Sequence, residues 1–294
     1  PVRLRLTNME VSSLSREGYK TRTNKTVWVF TAVYFGIAIC AFLCYWLAGM
    51  SPFDAINHAF GVVATGGFST KNMSIASFGS PLINIVTIFF MFISSIHFGI
   101  IYMVFASRSF KPLNNPVLKF YAGTILVAAL LVAFSLKMSS AGFTWGESFM
   151  TGFFHVVSSI STTGFAISDN NTWPLFACII TVLITVPCGM AGSTTGGVKM
   201  DRMLLMFKSV GQQVKNSMHP SSINQVHIGN HMLGNNEIYP HVVFIGLYFI
   251  TIAASMALTI LSGMDVQNSL ASSISCLSNV GPAMESAGTM GNYS

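Results

Sequence analysis

Residues 64–70 read ATGGFST, and they lie between two long apolar runs. A membrane helix could have continued through this point, yet the chain places small, polar, helix-breaking residues there. Irregular backbone at bilayer depth is tolerated only where protein buries it or where it lines a water-filled cavity. Whether ATGGFST is a loop outside the membrane or a turn inside it therefore decides the fold.

Composition sets the frame. The 294 residues are 52% hydrophobic and 8% charged, with a mean hydropathy of +0.61, whereas a soluble domain carries about 25% charged residues. Uncharged stretches cover 72–107, 170–198 and 238–264, each longer than the ~20 residues a helix needs to cross the hydrocarbon core. These features define an integral membrane protein. The five cysteines (Cys40, Cys44, Cys178, Cys188 and Cys276) have apolar neighbours and no metal-like spacing, so they read as buried small hydrophobes.

Five runs are long enough for full spans, at 27–49, 81–107, 116–136, 174–198 and 240–262. Three others, at 52–64, 145–160 and 266–277, are shorter or more polar, and each runs into a glycine-containing stretch, ATGGF, STTGF or SNVGP. The basic residues choose between two topologies. Arg3 to Lys25 precede the first span, Arg108, Lys111 and Lys119 lie between the second and third, and Lys199, Arg202, Lys208 and Lys215 follow the fourth. If the short segments crossed the membrane, consecutive clusters would fall on opposite faces. If each dips in and returns, all three clusters are cytoplasmic, as the positive-inside rule prefers. The net charge of +6 is then mostly a topology signal, and a nucleic-acid partner is not indicated.

The short segments repeat. Gly67 and Gly164 are 97 residues apart, and Gly164 and Gly281 are 117 apart. His58 and His155 each stand nine residues before their glycine, and Ser272 takes that place in the third unit. Asp54, Glu147 and Asp265 mark the starts of the short helices, where a carboxylate offsets the positive dipole end. If these helices enter from outside, their C-termini converge near the bilayer centre and their negative dipole ends favour a cation. Glycine lets consecutive carbonyls face a pore, carbonyl rings can replace an ion's hydration shell, and the adjacent Thr and Ser add hydroxyl oxygens. The competing reading is close helix packing by small residues.

The fourth span is interrupted by PCGMAGSTTGGVK from Pro187. Proline removes a backbone donor and each glycine costs about 1 kcal/mol against alanine in a helix, so an unbroken helix is not expected. GSTTGGVK fails as a phosphate-binding loop because Val198 stands where the lysine should follow Gly197 and Met200 where Ser or Thr should be.

Helix–short-helix–helix units with one T-x-G turn each resemble the TrkH/KtrB/HKT superfamily of potassium transporters. WLAGMSPFDAINHAFGVVATGGFST, SSISTTGF, LSNVGP, PCGMAGSTTGGVK and the HPSSINQVHIGNH loop are most similar to its TrkH/TrkG branch, over essentially the whole chain. The resemblance implies an all-α integral membrane fold with four pore repeats around a pseudo-fourfold ion pore. On it the chain divides into a basic cytoplasmic segment (1–26), the second repeat (27–111), the third with its glycine-rich loop (112–215), a cytoplasmic loop (216–239) and a fourth repeat (240–294) that stops after its filter, so the sequence reads as an interior stretch of a longer transporter. By motif, Thr65, Gly66 and Gly67, then Thr162, Thr163 and Gly164, then Asn279, Val280 and Gly281 line a K⁺ filter. The Asn-Val pair departs from the threonine pattern and loses a hydroxyl. Gly189, Gly192, Ser193, Thr194, Thr195, Gly196 and Gly197 form a loop that obstructs the pore beneath the filter, with Lys199 either a gating contact or an inner-boundary anchor. The resemblance further implies potassium as the transported ion, no bound cofactor, no enzymatic activity, and a homodimer in the bacterial inner membrane with a cytosolic nucleotide-binding subunit of the TrkA kind. The alternative is a secondary transporter of another small solute, or a Na⁺-permeable relative. His227 and His231 have helical i,i+4 metal spacing without a third ligand, and their loop reads rather as a partner contact. Glu285 reads as an outer-mouth or solvated acid, and His97 as a hydrogen-bonded packing residue rather than a proton relay.

Overall fold

The structure, a computed structural model, describes residues 23–139, 142–170, 173–219, 226–228 and 231–281. Among these residues the fold is all-α apart from one pair of short antiparallel strands. In order the elements are α1 (Thr23–Leu47), α2 (Pro52–Val63), α3 (Pro81–Ser94), α4 (Phe98–Ser107), α5 (Pro116–Met138), α6 (Trp145–Ile160), α7 (Leu175–Ile184), α8 (Met200–Met218), β1 (Val226–Ile228), β2 (His231–Leu233), α9 (Asn235–Leu261) and α10 (Val266–Ser278). Glu285 and the first basic cluster up to Arg22 lie outside the described residues.

Stretches within α1, α5 and α9 are long and apolar enough to cross a membrane, over Val27–Leu47, Pro116–Met138 and Glu237–Leu261. They present Trp28, Phe35, Phe134, Phe249 and Leu258 outward, side chains that suit lipid and would form an aggregation-prone patch in water. Two expected spans are different. The run 81–107 is two helices, α3 and α4, bent by 96° at Ser95–His97. The run 174–198 is helical only to Ile184, and Thr185–Lys199 is an irregular loop before α8. Phe120 at the start of α5 packs 6.1 Å from Phe207 of α8, which brings the neighbouring backbone positions of Lys119 and Lys208 to the same end of the helix pair.

Each long helix hands over to a short one through a side-chain cap. The Ser51 hydroxyl accepts the Asp54 amide at 3.1 Å, with Pro52 pre-organised at the first helical position. Thr144 and Glu147 form a reciprocal capping box, and the Asp265 carboxylate accepts the amides of Gln267 and Asn268 at 3.2 and 3.3 Å. Asp54 accepts from the hydroxyls of Thr70 and Ser51 and pairs with Lys71 at 3.5 Å. These bonds stabilise the ionised forms and hold all three carboxyls below their usual range, through Thr70 for Asp54, the Thr144 amide for Glu147 and the Asn268 side chain for Asp265.

Two readings need correction. His227 and His231 are on a β-hairpin in which His227 faces Met232 and His231 faces Ile228. The two histidines therefore lie on paired strands, and the spacing of four is not a helical one. The five cysteines are all free, but Cys40 and Cys276 are exposed rather than buried.

The tightest helix pair is α5 with α6. Gly152 faces Ala129 and Ala133, and a Cβ there would lie 3.0 Å from the Ala133 amide nitrogen and 3.3 Å from the Ala129 carbonyl oxygen. This is the small-residue seam by which membrane helices approach closely. Replacing Gly152 by Leu should force the pair apart at a cost of about 1–3 kcal/mol, read as a lowered melting temperature of the detergent-solubilised protein.

Candidate functional site

The three predicted glycine turns share one backbone geometry. Thr65, Thr162 and Asn279 have φ of 51°, 56° and 67°, and two residues later Gly67, Gly164 and Gly281 have φ of 63°, 78° and 94°. Each turn closes its short helix with the same pair of bonds. The amide of the first left-handed residue bonds three residues back (Thr65 to Val62, Thr162 to Ser159, Asn279 to Cys276), and the next amide bonds five back (Gly66 to Gly61, Thr163 to Ser158, Val280 to Ser275). This is a Schellman cap, which requires a left-handed residue after the helix. It explains the Asn-Val departure, because asparagine adopts the left-handed region more readily than most residues. What repeats is a backbone conformation, and threonine is the costlier way to reach it.

Two of the turns meet directly. A Cβ on Gly67 would overlap the Thr163 carbonyl oxygen, so ATGGF and STTGF pass with backbones in contact. The glycine-rich loop runs against all three. Thr194 donates its hydroxyl to the Val63 carbonyl at 2.9 Å and its carbonyl accepts the Thr65 hydroxyl at 3.1 Å. The Gly196 amide donates to the Thr162 hydroxyl at 3.0 Å, and a Cβ on Gly196 would overlap the Ser278 carbonyl oxygen. The hydroxyls of Thr65 and Thr162 thus tie the turns to the loop. Thr163 bonds Ser161 at 2.7 Å. Within the loop Ser193 and Thr195 share a hydroxyl bond at 2.8 Å, and the Lys199 ammonium donates to the carbonyl and hydroxyl of Thr195.

The bend between α3 and α4, which the apolar run concealed, belongs to the same site. Met190 donates its amide to the Ser95 carbonyl at 2.9 Å, and Phe98 donates to the Gly192 carbonyl at 3.1 Å. Backbone groups freed by one broken helix are satisfied by the other. His97 caps α4 by accepting the Gly99 amide at 2.8 Å, and a Cβ on Gly192 would come within 2.6 Å of its ring. The buried Asp201 accepts the Ala191 amide at 2.6 Å from the first turn of α8. Sequence reading missed Ser95 and Asp201. A serine within an apolar run and an acid beside an arginine carry no signal of where a distant loop will pass.

Three short helices ending in left-handed turns, with a fourth broken segment bonded beneath them, are the class of arrangement found in integral membrane proteins built from repeated helix–short-helix–helix units. The chain belongs to the TrkH family of cation transport proteins, whose sequence profile matches residues 3–290. It is 33% identical over 267 residues to the Trk system potassium uptake protein TrkH of Escherichia coli K12, covering 89% of this chain and 54% of that protein. With the Trk system potassium uptake protein TrkG of the same organism the identity is 30% over 263 residues, covering 88% and 53%. The crystal structure of the potassium transporter TrkH from Vibrio parahaemolyticus superposes with a TM-score of 0.86 at 28% identity, over 94% of this chain and 60% of that one. The chain therefore spans little more than half the length of the curated relatives it matches.

A β-branched residue in the left-handed region is the least favourable case. Asn279→Val should cost about 1–2 kcal/mol while Asn279→Gly stays near the parent, and thermal unfolding of the two variants side by side measures the difference.

Proposed function

We propose that this chain supplies three of four repeats of a potassium uptake pore in the bacterial inner membrane, crossing it several times. The observation that carries the reading is the set of three Schellman-capped turns, with Gly67, Gly164 and Gly281 in register and the Thr185–Lys199 loop bonded beneath them. Helix C-termini carry roughly half a negative charge each, and caps that alternate left-handed and ordinary residues turn successive carbonyls toward one side. Such an array suits a partly dehydrated monovalent cation. Its similarity to the potassium uptake proteins TrkH and TrkG supports potassium as that ion.

In this reading the filter is Thr65–Gly67, Thr162–Gly164 and Asn279–Gly281, contributed by repeats spanning 27–111, 112–215 and 240–294. Residues 189–197 are the gate, with Lys199 bracing Thr195. The function is transport rather than catalysis, and K⁺ is cargo. The family likeness further supports a homodimer. It also supports a cytosolic nucleotide-binding subunit of the TrkA kind, docking on the face that carries the basic clusters and the 226–233 hairpin.

Replacing Gly164 by Val puts a branched side chain on a residue at φ 78°. Potassium uptake in cells stripped of their own uptake systems should fall to background, and unchanged uptake would remove Gly164 from the filter. Shortening the 189–197 loop should instead raise leak conductance in planar bilayers; a silent pore after that deletion would remove the gate.

A further inference from the structure

His58 and His155 stand nine residues before Gly67 and Gly164 on equivalent faces of α2 and α6, and the pore reading gives neither a task. Both are buried, with 0% and 4% of their surface exposed. Resting on that reading, we infer that the two histidines are positioning residues for the filter. Each braces the segment just past its filter glycine from behind.

The bonds on His58 fix its tautomer. Nδ1 lies 2.7 Å from the Asp54 carbonyl oxygen, which can only accept, so Nδ1 carries the proton. In a neutral imidazole the other nitrogen is then an acceptor, and Nε2 receives the Ser69 hydroxyl at 2.9 Å. The Ser69 oxygen in turn accepts the Lys71 amide at 3.1 Å. A directed chain therefore runs from the first turn of α2 through the ring to the residue two positions past Gly67. In the next unit His155 Nε2 lies 3.2 Å from the Ser168 hydroxyl and accepts the Ile167 amide at 3.4 Å. Here the serine is four positions past Gly164, so the brace is kept while its footing moves along the chain.

Aromatic rings hold each imidazole in place. His58 stacks on Phe165 with centroids 5.7 Å apart and meets the edge of Phe78 at 5.3 Å. His155 meets Trp173 at 4.7 Å. Phe165 directly follows Gly164, so the brace of one unit also bears on the filter strand of the next. The Phe165 carbonyl is itself held by the Ser158 hydroxyl at 2.6 Å. In the third unit Ser272 stands where the histidine would be, and its hydroxyl has no hydrogen-bond partner among the described residues. A histidine at this position is thus a feature of the first two units. A packing residue needs neither a defined tautomer nor a hydroxyl partner, whereas discrimination between ions depends on where the filter carbonyls are held.

The test is the K⁺ over Na⁺ permeability ratio of the protein in proteoliposomes. Ser69→Ala and Ser168→Ala each remove one oxygen and leave the core filled, so they carry the test even where His58→Ala or His155→Ala fails to reach the membrane. Each alanine variant should lower the ratio about tenfold, as loss of one buried hydrogen bond allows. His58→Gln keeps an acceptor at the right depth and should stay within about threefold. The double variant His58→Ala/Ser69→Ala should be no worse than either single one, since both break the same bond. A wild-type ratio in both serine variants overturns the proposal, and so does reduced flux at an unchanged ratio, which marks a purely structural role. Absence of K⁺ flux through the parent protein is a different result, because it sinks the pore reading itself.

Discussion

A helix broken inside a bilayer leaves amides and carbonyls that water cannot reach, and each costs several kcal/mol unless another part of the protein meets it. The centre of this fold is a reciprocal solution to that constraint. The α3–α4 break exposes the Ser95 carbonyl and the Phe98 amide, and the loop after α7 exposes the Met190 amide and the Gly192 carbonyl. Each fills the other's vacancy. Neither irregular segment is tolerable alone at that depth, so each depends on the other. The glycines follow from the same geometry, since the His97 ring and the Ser278 carbonyl leave no room for a Cβ at Gly192 or Gly196.

The short helices solve the problem differently at each end. At their starts Ser51, Thr144 and Asp265 supply side-chain oxygens to free amides. At their ends the Schellman caps recover carbonyls internally, and the left-handed residues that this demands aim the backbone that follows. Helix termination and the direction of the backbone beyond it are therefore set by the same residues. Threonine at Thr65 and Thr162 bears a strain of about 1–3 kcal/mol. The hydroxyl bonds to Thr194 and Gly196 offset part of that strain, bonds that glycine at those positions could not make.

Much of this was legible in the sequence. The spacing of 97 and 117 residues located all three turns, and an acid marks the start of each short helix, Asp54 and Glu147 in the first turn and Asp265 as the cap. The α3–α4 bend was not legible, because 81–107 is apolar throughout and hydropathy measures length rather than direction. The break in the fourth span was legible from Pro187 and the glycines after it, although the helix already ends at Ile184, where the chain turns toward the bonds made by Met190 and Gly192. The hairpin at 226–233 defeated a spacing argument for a different reason. Two histidines four apart share a face when they lie on one helix or one strand, whereas His227 and His231 belong to two different, paired strands. The asparagine at 279 looked like an exception until φ, rather than side-chain chemistry, was recognised as the repeated quantity.

The same contacts constrain how the proposed gate can move. Thr194 is bonded to α2 through Val63 and Thr65, Gly196 to the α6 turn through Thr162, and Ala191 to α8 through Asp201. Displacing the loop must break the first two sets of bonds, which leaves the two strained threonines without their compensating partners. The loop and the first two turns are therefore coupled, and under the proposed assignment a displaced gate goes with a relaxed filter. The third turn is coupled differently, by close backbone approach between Gly196 and Ser278 with no hydroxyl from Asn279 needed. Opening should loosen the first two turns more than the third. In the inferred arrangement, these are also the two turns that a buried histidine braces from behind.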